Sequence, residues 1–331
     1  MRKVLVTGGA GFLGSSIVRE LGSKSLSVRV LARPEESLEN LKGLDGVEVV
    51  RGDVMSVDDC RRATTGIDTV FHCAAIYKDY VRDPTAMYHV NQRGTFNVLE
   101  AARRSDVERV VYTASVVGLG RPARGRVADE TTPYDAWDLN FHYSRSKHLS
   151  MLTAFDFANW GLDVRIVSPA VVFGPGDVGP TPSGKIILAV CAGKAPAYSS
   201  GGLSYVDVRD AARVHVLAAE RGQRGRMYIA SGHRLDNRTF LDTIARVHHR
   251  RLPRPIRVPP SVTLAVIRAI AAGSMALGRE PEMTPELVAY NGRAGYYSNR
   301  RAVEELGATF RPIEETIRDA IEYFRGRGLV A

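Results

Sequence analysis

The chain has 331 residues, of which 44% are apolar and 24% are charged, and its formal net charge is +9. These proportions are ordinary for a globular protein and exclude a disordered or fibrous chain. Because the arginines and lysines are spread along the sequence, the positive charge indicates a solvated surface that attracts anionic cofactors, and it does not predict a nucleic-acid partner.

The cysteines, the histidines and the N-terminal residues bear on metals and on the cellular compartment. Cys60, Cys73 and Cys191 are too few and too far apart to predict a disulfide framework or a zinc site, and the eight histidines show no metal-ligand spacing. Lys3 leads directly into a glycine motif without a secretory leader. We therefore expect a reduced, cytoplasmic protein that binds no metal.

The first half of the chain alternates short apolar runs with helical patterns. Strands are predicted at Lys3–Thr7, Val28–Leu31, Val47–Val50, Thr69–His72, Arg109–Tyr112 and Asp163–Val167, and helices at Phe12–Leu21, 56–64, 85–104 and Phe141–Trp160. Such alternation is typical of a parallel sheet with helices on both faces. The sequence therefore predicts an α/β fold with a doubly wound parallel Rossmann sheet.

After Ser168 the sequence changes in character. Glycines and prolines crowd the segment from Gly174 to Gly184, which predicts an irregular loop. Beyond it we predict strands at Leu203–Val206 and Met227–Ala230 and helices at about 208–221, 237–247, 284–291 and 314–325. We predict a dinucleotide-binding Rossmann domain over residues 1–167 and a smaller, mixed α/β substrate-binding region over residues 168–331, with some exchange of chain between them.

The segment Val262–Leu277 is apolar enough to raise the question of a membrane. It is shorter than the roughly 18 residues that a spanning helix needs, and it carries Arg268. We expect a packed helix without stable membrane insertion, and a peripheral membrane or lid contact is the alternative.

Gly8, Gly11 and Gly14 follow the first predicted strand and open the first predicted helix. Glycine at these positions permits a tight turn, a close approach of backbone to a pyrophosphate, and close packing of helix on strand. The free amides of Phe12 and Leu13 at the helix start would bind the phosphates. The pattern predicts a dinucleotide site.

The end of the second predicted strand bears on the choice of cofactor. Arg33 stands where an NAD enzyme usually has an acid, and a guanidinium suits the 2′-phosphate of NADP. Glu35 or Glu36 could instead fold towards the ribose. We expect NADP, with NAD as the alternative. Asp53 and Val54 follow the third strand, and we expect them at the adenine, although Asp53 could instead cap the next helix.

Tyr143 and Lys147 lie four residues apart, so on a helix they share one face. A protonated lysine near a phenol stabilises the phenolate, which lets the tyrosine exchange a proton as hydride moves. Ser115 ends the fifth predicted strand at the sheet edge where ligands bind, and it could hold the reacting oxygen. Asn91 could order backbone or water behind the lysine, or serve only as a structural hydrogen-bonding group.

Together these motifs resemble the extended short-chain dehydrogenase/reductase family, also called the NAD-dependent epimerase/dehydratase family. The resemblance covers almost the whole chain: T-G-G-A-G-F-L-G at 7–14, G-D-V at 52–54, F-H-C-A-A at 71–75, N-Q-R-G-T-F-N-V-L-E-A-A at 91–102, Y-S-R-S-K at 143–147 and S-P-A-V-V-F-G-P at 168–175. Within the family, the segment 174–185 is most similar to the hopanoid-associated sugar epimerase and dihydroflavonol-reductase-like group.

The resemblance implies a catalytic triad and the walls of a nicotinamide site. It assigns Ser115, Tyr143 and Lys147 to the triad, and it assigns Ala74, Ala75 and Pro169 to the walls. We expect the substrate pocket to lie between the sheet edge and the second region, lined by Tyr77, Val117, Phe173 and Tyr205.

Three functions are compatible with this pattern. The first is reduction of a ketone or aldehyde by NADPH, which Arg33 favours. The second is a nucleotide-sugar epimerase or dehydratase with tightly bound NAD(P), and the third is a dinucleotide-binding sensor without activity, which the intact triad disfavours. The expected partner is a small carbonyl or sugar substrate, and formation of a homodimer is left open.

Overall fold

A computed structural model describes residues 1–330 except 25, 79, 124, 195–196, 250–255, 280, 282–283 and 292–294. In these ranges the chain forms one large parallel sheet, two small sheets and the helices that cover them.

The strands of the large sheet are largely buried on both faces, except for the edge strand at residues 47–51, where no residue is fully buried. They are β1 (Lys3–Thr7), β2 (Ser27–Ala32), β3 (Val47–Arg51), β4 (Thr69–His72), β5 (Arg109–Thr113), β6 (Val164–Pro169) and β10 (Met227–Ala230), in the order β10-β6-β5-β4-β1-β2-β3. Each neighbouring pair is parallel. Apolar runs without alternation, such as the fully buried β4 and β6, are what a sheet covered on both sides requires.

Helices cover both faces of this sheet, which confirms the predicted doubly wound Rossmann fold. They are α1 (Phe12–Gly22), α2 (Val57–Thr64), α3 (Thr85–Tyr88), α4 (Thr95–Arg104), α5 (His142–Asn159), α7 (Val208–Arg221) and α11 (Arg300–Leu306). One core joins the sheet to α1 and α7, and the other joins it to α2, α4 and α5. Between α3 and α4 the chain continues as a π-helical turn over His89–Gly94. The chain reverses direction across the sheet between β1 and β4, and ligands bind at such switch points.

A smaller mixed layer contains the rest of the chain, as predicted. Its sheet pairs β7 (Val171–Phe173) parallel and β11 (His233–Asp236) antiparallel with β9 (Gly202–Asp207), and β8 (Ala197–Ser199) pairs with β12 (Ile256–Val258). Its helices are α6 (Pro182–Cys191), α8 (Asn237–Val247), α9 (Pro260–Ala276), α10 (Pro285–Asn291) and α12 (Ile313–Gly326). The domain division at residue 167 stays a prediction. Strand β10 comes after this residue in sequence, yet it lies at the edge of the large sheet.

The loop predicted from Gly174 to Gly184 is wrong at its end. Gly174 and Gly176 have φ values of +141° and +95°, so the first part is irregular. Helix α6, however, begins at Pro182, and the Thr181 hydroxyl accepts a hydrogen bond from the Gly184 amide at 3.2 Å. A capping threonine followed by proline at the first helical position is a helix start, and this signal outweighs the loop composition.

The packed helix predicted at 262–277 is helical, but it packs on one side only and its other side is exposed. Of the side chains that are described in α9, only Ala271 is buried. In the described ranges, the chain contains no helix of the length and apolar character that crossing a bilayer demands.

Candidate active site

The glycine turn between β1 and α1 has no room for side chains. Gly8 has a φ of +67°, and a Cβ on Gly14 would lie 2.1 Å from the Gly8 carbonyl oxygen. Gly11 precedes the helix in an extended conformation without a side-chain cap. The first amides of α1, which include those of Phe12 and Leu13, have no partners within a helix. The turn therefore has the shape and the donors of a phosphate cradle.

Asn40, which no sequence pattern marks, supports this turn. Its side-chain amide donates to the Ala10 carbonyl at 3.1 Å. Beside the turn lies a cavity of about 270 Å³ whose walls include Phe12, Asn40 and the buried Asp177. Burial raises the pKa of Asp177, and its carboxylate accepts hydrogen bonds from the amide and hydroxyl of Thr181. No periodic pattern marks such contacts between distant segments.

Arg33 lies at the end of β2, as predicted, and more than half of its side chain is exposed. Its guanidinium is 3.1 Å from the Glu35 carboxylate, while Glu36 accepts a hydrogen bond from the Arg33 amide. Arg51, directly opposite Ala32 on β3, donates to the carbonyls of Arg33 and Glu36. Two guanidinium groups thus lie at this strand end, and Arg51 holds the loop that carries the first.

Asp53 lies in the turn after β3, where its carboxylate accepts a hydrogen bond from the Met55 amide at 2.9 Å. Helix α2 is capped by Ser56, so Asp53 is not the cap of that helix. Val54 is buried, and its carbonyl accepts from the Asn97 side chain at 3.0 Å. The structure thus brings both residues to the carboxyl edge of the sheet.

Asn91 is buried in the π-helical turn and uses both ends of its amide. Its Oδ1 accepts from the Ile76 amide at 2.7 Å, and its Nδ2 donates to the Ile76 carbonyl and to Ser146 Oγ. Since Ser146 lies in α5, Asn91 ties the loop after β4 to the helix that carries Tyr143 and Lys147. π-Helical turns within α-helices are frequent at functional sites.

Ser115 lies two residues after the end of β5 and caps a short 3₁₀ turn over Val116–Gly118. Helix α5 packs closely on this turn, because the Ser144 hydroxyl donates to the Val117 carbonyl at 2.6 Å and His148 is hydrogen-bonded to the Gly118 carbonyl at 2.9 Å. The helical face predicted for Tyr143 and Lys147 therefore lies against the strand end that carries Ser115.

The side chain of Lys147 is buried, including its ammonium group. Nζ donates to the Thr113 carbonyl at 2.8 Å and to Tyr112 Oη at 3.4 Å. Burial lowers the pKa of Lys147, and negative charge on Tyr143 would raise it. The two side chains are therefore electrostatically coupled, as their spacing predicts.

A buried histidine that sequence reasoning did not assign connects these parts. His72 Nε2 lies 3.0 Å from the Thr95 hydroxyl, which itself donates to the Asn91 carbonyl at 2.6 Å. Nε2 must therefore carry the proton, and Nδ1 accepts from Thr7 at 2.7 Å. Burial lowers the pKa of His72 to about 3, so the ring is neutral. The sequence marks His72 in one way only: it is a polar residue at the end of an apolar strand that is buried.

An apolar, largely aromatic group of side chains surrounds Tyr143, and we call it the Tyr143 cluster. Its members are Val117, Tyr134, Ala136, Leu139, Phe141, Tyr143, Leu287 and Tyr290. Tyr77 meets the ring of Tyr143 edge-on, with 4.7 Å between ring centroids. The buried Tyr290 hydroxyl makes no hydrogen bond of good geometry in the described part of the chain, although the Tyr297 hydroxyl is close enough to interact with it. The side chains packed around Tyr143 are therefore mainly apolar and aromatic.

Two residues predicted to line the substrate pocket lie elsewhere. Phe173 and Tyr205 are buried with Phe240, on which Tyr205 stacks at 4.2 Å, in the core of the smaller layer. The sequence around a buried aromatic residue does not differ from the sequence around an aromatic residue that lines a pocket, so the pattern could not separate the two cases. Tyr77 and Val117, by contrast, lie at Tyr143.

The expected walls of the nicotinamide site lie at the ends of β4 and β6. The Ala74 amide donates to Thr7 at 3.3 Å, Ala75 is exposed, and Pro169 is the buried last residue of β6. The structure thus places these three residues at the carboxyl edge that also carries the glycine turn and Ser115.

Comparison with known proteins gives a consistent result. The pattern that defines the NAD dependent epimerase/dehydratase family matches residues 4–230. A Synechocystis protein named "Putative dihydroflavonol 4-reductase" is 33% identical over 98% of this chain and 95% of its own. Sterol demethylase protein B of Methylococcus capsulatus is 30% identical over 98% of this chain and 99% of its own. The crystal structure of gox2253 is 33% identical and covers all of both chains with a TM-score of 0.89.

Proposed function

The chain belongs to the NAD dependent epimerase/dehydratase family, and as an enzyme of that family we propose that it reduces a ketone or aldehyde group on an apolar substrate, with NADPH as reductant and Tyr143 as proton donor. The observation that carries this proposal is the buried ammonium group of Lys147, which donates a hydrogen bond to the Thr113 carbonyl. Lys147 lies on the same face of α5 as Tyr143.

The proposed chemistry follows from that arrangement. When bound in the glycine turn, NADPH would supply the hydride that the carbonyl carbon accepts. Tyr143 gives its phenolic proton to the carbonyl oxygen, and Lys147 stabilises the phenolate that remains because a buried positive charge interacts strongly at low dielectric. Ser115 donates a hydrogen bond to the same oxygen and holds it beside Tyr143. Asn91 and His72 keep the surrounding segments in position.

The glycine turn fits a dinucleotide, since a Cβ at Gly14 would overlap the Gly8 carbonyl and a Cβ at Gly8 would contact the Ala74 backbone, so the turn keeps its backbone open to a ligand. We propose that Phe12 and Leu13 bind the pyrophosphate through their amides, and that Asp53 and Val54 lie at the adenine. Arg33 would bind the 2′-phosphate, with Arg51 fixing the loop beneath it. This arrangement favours NADP, although Glu35 must release Arg33 for the phosphate to bind.

The Tyr143 cluster supports an apolar substrate. A nucleotide sugar needs several polar partners for its hydroxyls and diphosphate, whereas the side chains packed around Tyr143 are mainly apolar. The two relatives described above are named for a dihydroflavonol and a sterol, which are ring compounds. We propose that the substrate's ring system packs in this cluster and that its carbonyl points to Tyr143.

The test is oxidation of NADPH and of NADH by the purified protein over a panel of aromatic and alicyclic ketones and aldehydes. We expect NADPH to be the better reductant. Tyr143→Phe should keep nucleotide binding and lose turnover by ~100-fold or more, because general acid catalysis contributes about that much. Tyr323→Phe, a matched loss of a hydroxyl in α12, should leave turnover unchanged.

Two results would contradict the proposal. Retained turnover in Tyr143→Phe would remove this residue from proton transfer. Interconversion of a nucleotide sugar by protein that carries nicotinamide as purified, without net change at the nicotinamide absorbance band, would instead establish the epimerase or dehydratase alternative.

A further inference from the structure

Helix α9 (Pro260–Ala276) presents an apolar face to solvent. Val262, Val266, Ile270 and Leu277 are 49%, 50%, 56% and 76% exposed. At 3.6 residues per turn these four positions fall within about 80° of one another around the helix axis. A helix that is apolar on its outer face is ordinarily covered by something else.

The rest of the exposed surface of α9 is almost free of charge. Its other exposed residues, among the side chains described, are Ser261, Ala265, Arg268, Ala269, Ala272, Gly273, Met275 and Ala276. Arg268 is the one ionisable group among them, and it lies roughly 120° to 180° around the helix axis from the four apolar positions. A solvated helix face normally carries several charges.

The sequence around α9 is strongly basic. Between Asp242 and Glu280 there are seven arginines, at positions 246, 250, 251, 254, 257, 268 and 279, and no aspartate or glutamate. Arg257, Arg268 and Arg279 are exposed, and none of the three is ion-paired with a described residue. Unpaired cations beside an exposed apolar face are complementary to a surface that is apolar inside and anionic outside.

We propose that α9 lies in the interface of an anionic phospholipid bilayer, with Val266 and Ile270 in the acyl region and the exposed Arg257 and Arg279, on either side of the helix in sequence, at the lipid phosphates. The helix is 17 residues long and does not cross the membrane. Interfacial helices combine an apolar face of this kind with basic residues, and both parts contribute to binding. A second copy of the chain would bring like charges together at the same face.

This position has a consequence that rests on the proposed reductase function. The inner side of α9 packs on α10, whose Leu287 and Tyr290 belong to the Tyr143 cluster. Near the C-terminal end of α9, Tyr80 Oη lies 3.8 Å from Met275 Sδ, in the segment that carries Tyr77. The Tyr143 cluster therefore lies behind the membrane-bound helix, and the substrate class is a carbonyl compound that partitions into lipid.

Flotation of the full-length protein with vesicles tests the membrane contact without substrate or nucleotide. The vesicles are an equimolar mixture of phosphatidylglycerol and phosphatidylcholine, compared with phosphatidylcholine alone. The wild-type protein should float with the anionic vesicles and less with the neutral ones, and added salt should weaken the binding. The double variant Val266→Asp, Ile270→Asp should lower the partition coefficient by at least ~10-fold, because it removes two apolar side chains that the bilayer would bury.

The matched control is Val57→Asp, Val303→Asp, which makes the same change in charge at two exposed valines on α2 and α11. It should float like the wild-type protein. The membrane contact is refuted if the wild-type protein stays in solution with anionic vesicles, if both double variants lose binding equally, or if the α9 variant only dissociates a dimer. Reduction of a water-soluble ketone by the α9 variant should persist; absence of any reductase activity would overturn the proposed function and leave the flotation result intact.

Discussion

Replacing Gly14 by alanine tests the phosphate cradle most directly. The new Cβ would lie 2.1 Å from the Gly8 carbonyl oxygen and 2.9 Å from the Gly9 Cα, whereas ordinary contacts begin at 3.4 Å. The first turn of α1 and the glycine turn must therefore separate by about 1.3 Å. Gly8 cannot retreat freely, since a Cβ built on it would already lie 2.8 Å from the Ala74 backbone.

The expected cost has two parts. Overpacking against backbone costs ~3 kcal/mol, and the better helix propensity of alanine offsets ~1 kcal/mol, so the free energy of unfolding should fall by ~2 kcal/mol. A displacement of this size also misplaces the amides of Phe12 and Leu13. Two charge-assisted hydrogen bonds to a phosphate are worth ~3 kcal/mol or more, which corresponds to a loss of ~100-fold in affinity for NADPH.

The assays are titration of NADPH by its fluorescence and urea unfolding. Gly22→Ala is the matched control, because Gly22 ends the same helix and a Cβ there meets nothing within 4 Å. It should bind NADPH normally and be as stable as the wild-type protein or slightly more so. Wild-type affinity for NADPH in Gly14→Ala would refute the assignment of this turn to the pyrophosphate.

Three further predictions follow from the site. Arg33→Gln should raise the Kd of NADPH by ~10-fold or more and leave that of NADH nearly unchanged, whereas Glu35→Gln should increase the preference for NADPH; equal effects on both nucleotides would contradict the 2′-phosphate assignment. Burial lowers the pKa of His72 to about 3 and that of His215 to about 4, while an unfolded histidine titrates near ~6.5. Below pH ~6.5 the unfolded chain then binds more protons than the folded chain. The free energy of unfolding should therefore fall with decreasing pH, by ~1.4 kcal/mol per pH unit for each of these histidines. A urea midpoint that is the same at pH ~7 and pH ~5 would contradict this prediction. Tyr290→Phe should raise the KM of a substrate with a second polar group and leave the KM of an otherwise identical substrate without that group unchanged, and equal KM changes for both would show that the Tyr290 hydroxyl does not bind substrate.

Local patterns predicted much of the fold. Apolar runs and helical spacing located the strands and helices of the Rossmann sheet, because a strand buried on both faces and a helix over it each have a recognisable period. The glycine turn was also predictable, since its steric requirement acts within seven residues. The family resemblance predicted from these motifs is confirmed by the match over residues 4–230. The start of α6 was missed because the composition of the preceding loop concealed the Thr181 cap.

The candidate site was predictable only in part. The spacing of Tyr143 and Lys147 placed them on one helix face, and the strand end placed Ser115. Roles for Asn40 and His72 could not be predicted, because their partners lie 30 residues away for Asn40 and up to 65 residues away for His72. The predicted helix α9 is present, but its predicted packing is found on one side only, for a related reason: an apolar pattern indicates a preference for burial without saying what covers the helix.

The sequence by itself determined the fold class, the glycine turn and the Tyr143–Lys147 pair, since each depends on residues close together in the chain. Only the tertiary structure decided which aromatic side chains surround Tyr143, that Phe173 and Tyr205 belong to a core instead, and that α9 faces outward. Those outcomes depend on how distant segments pack, and packing partners that are far apart in sequence leave no local period by which to recognise them.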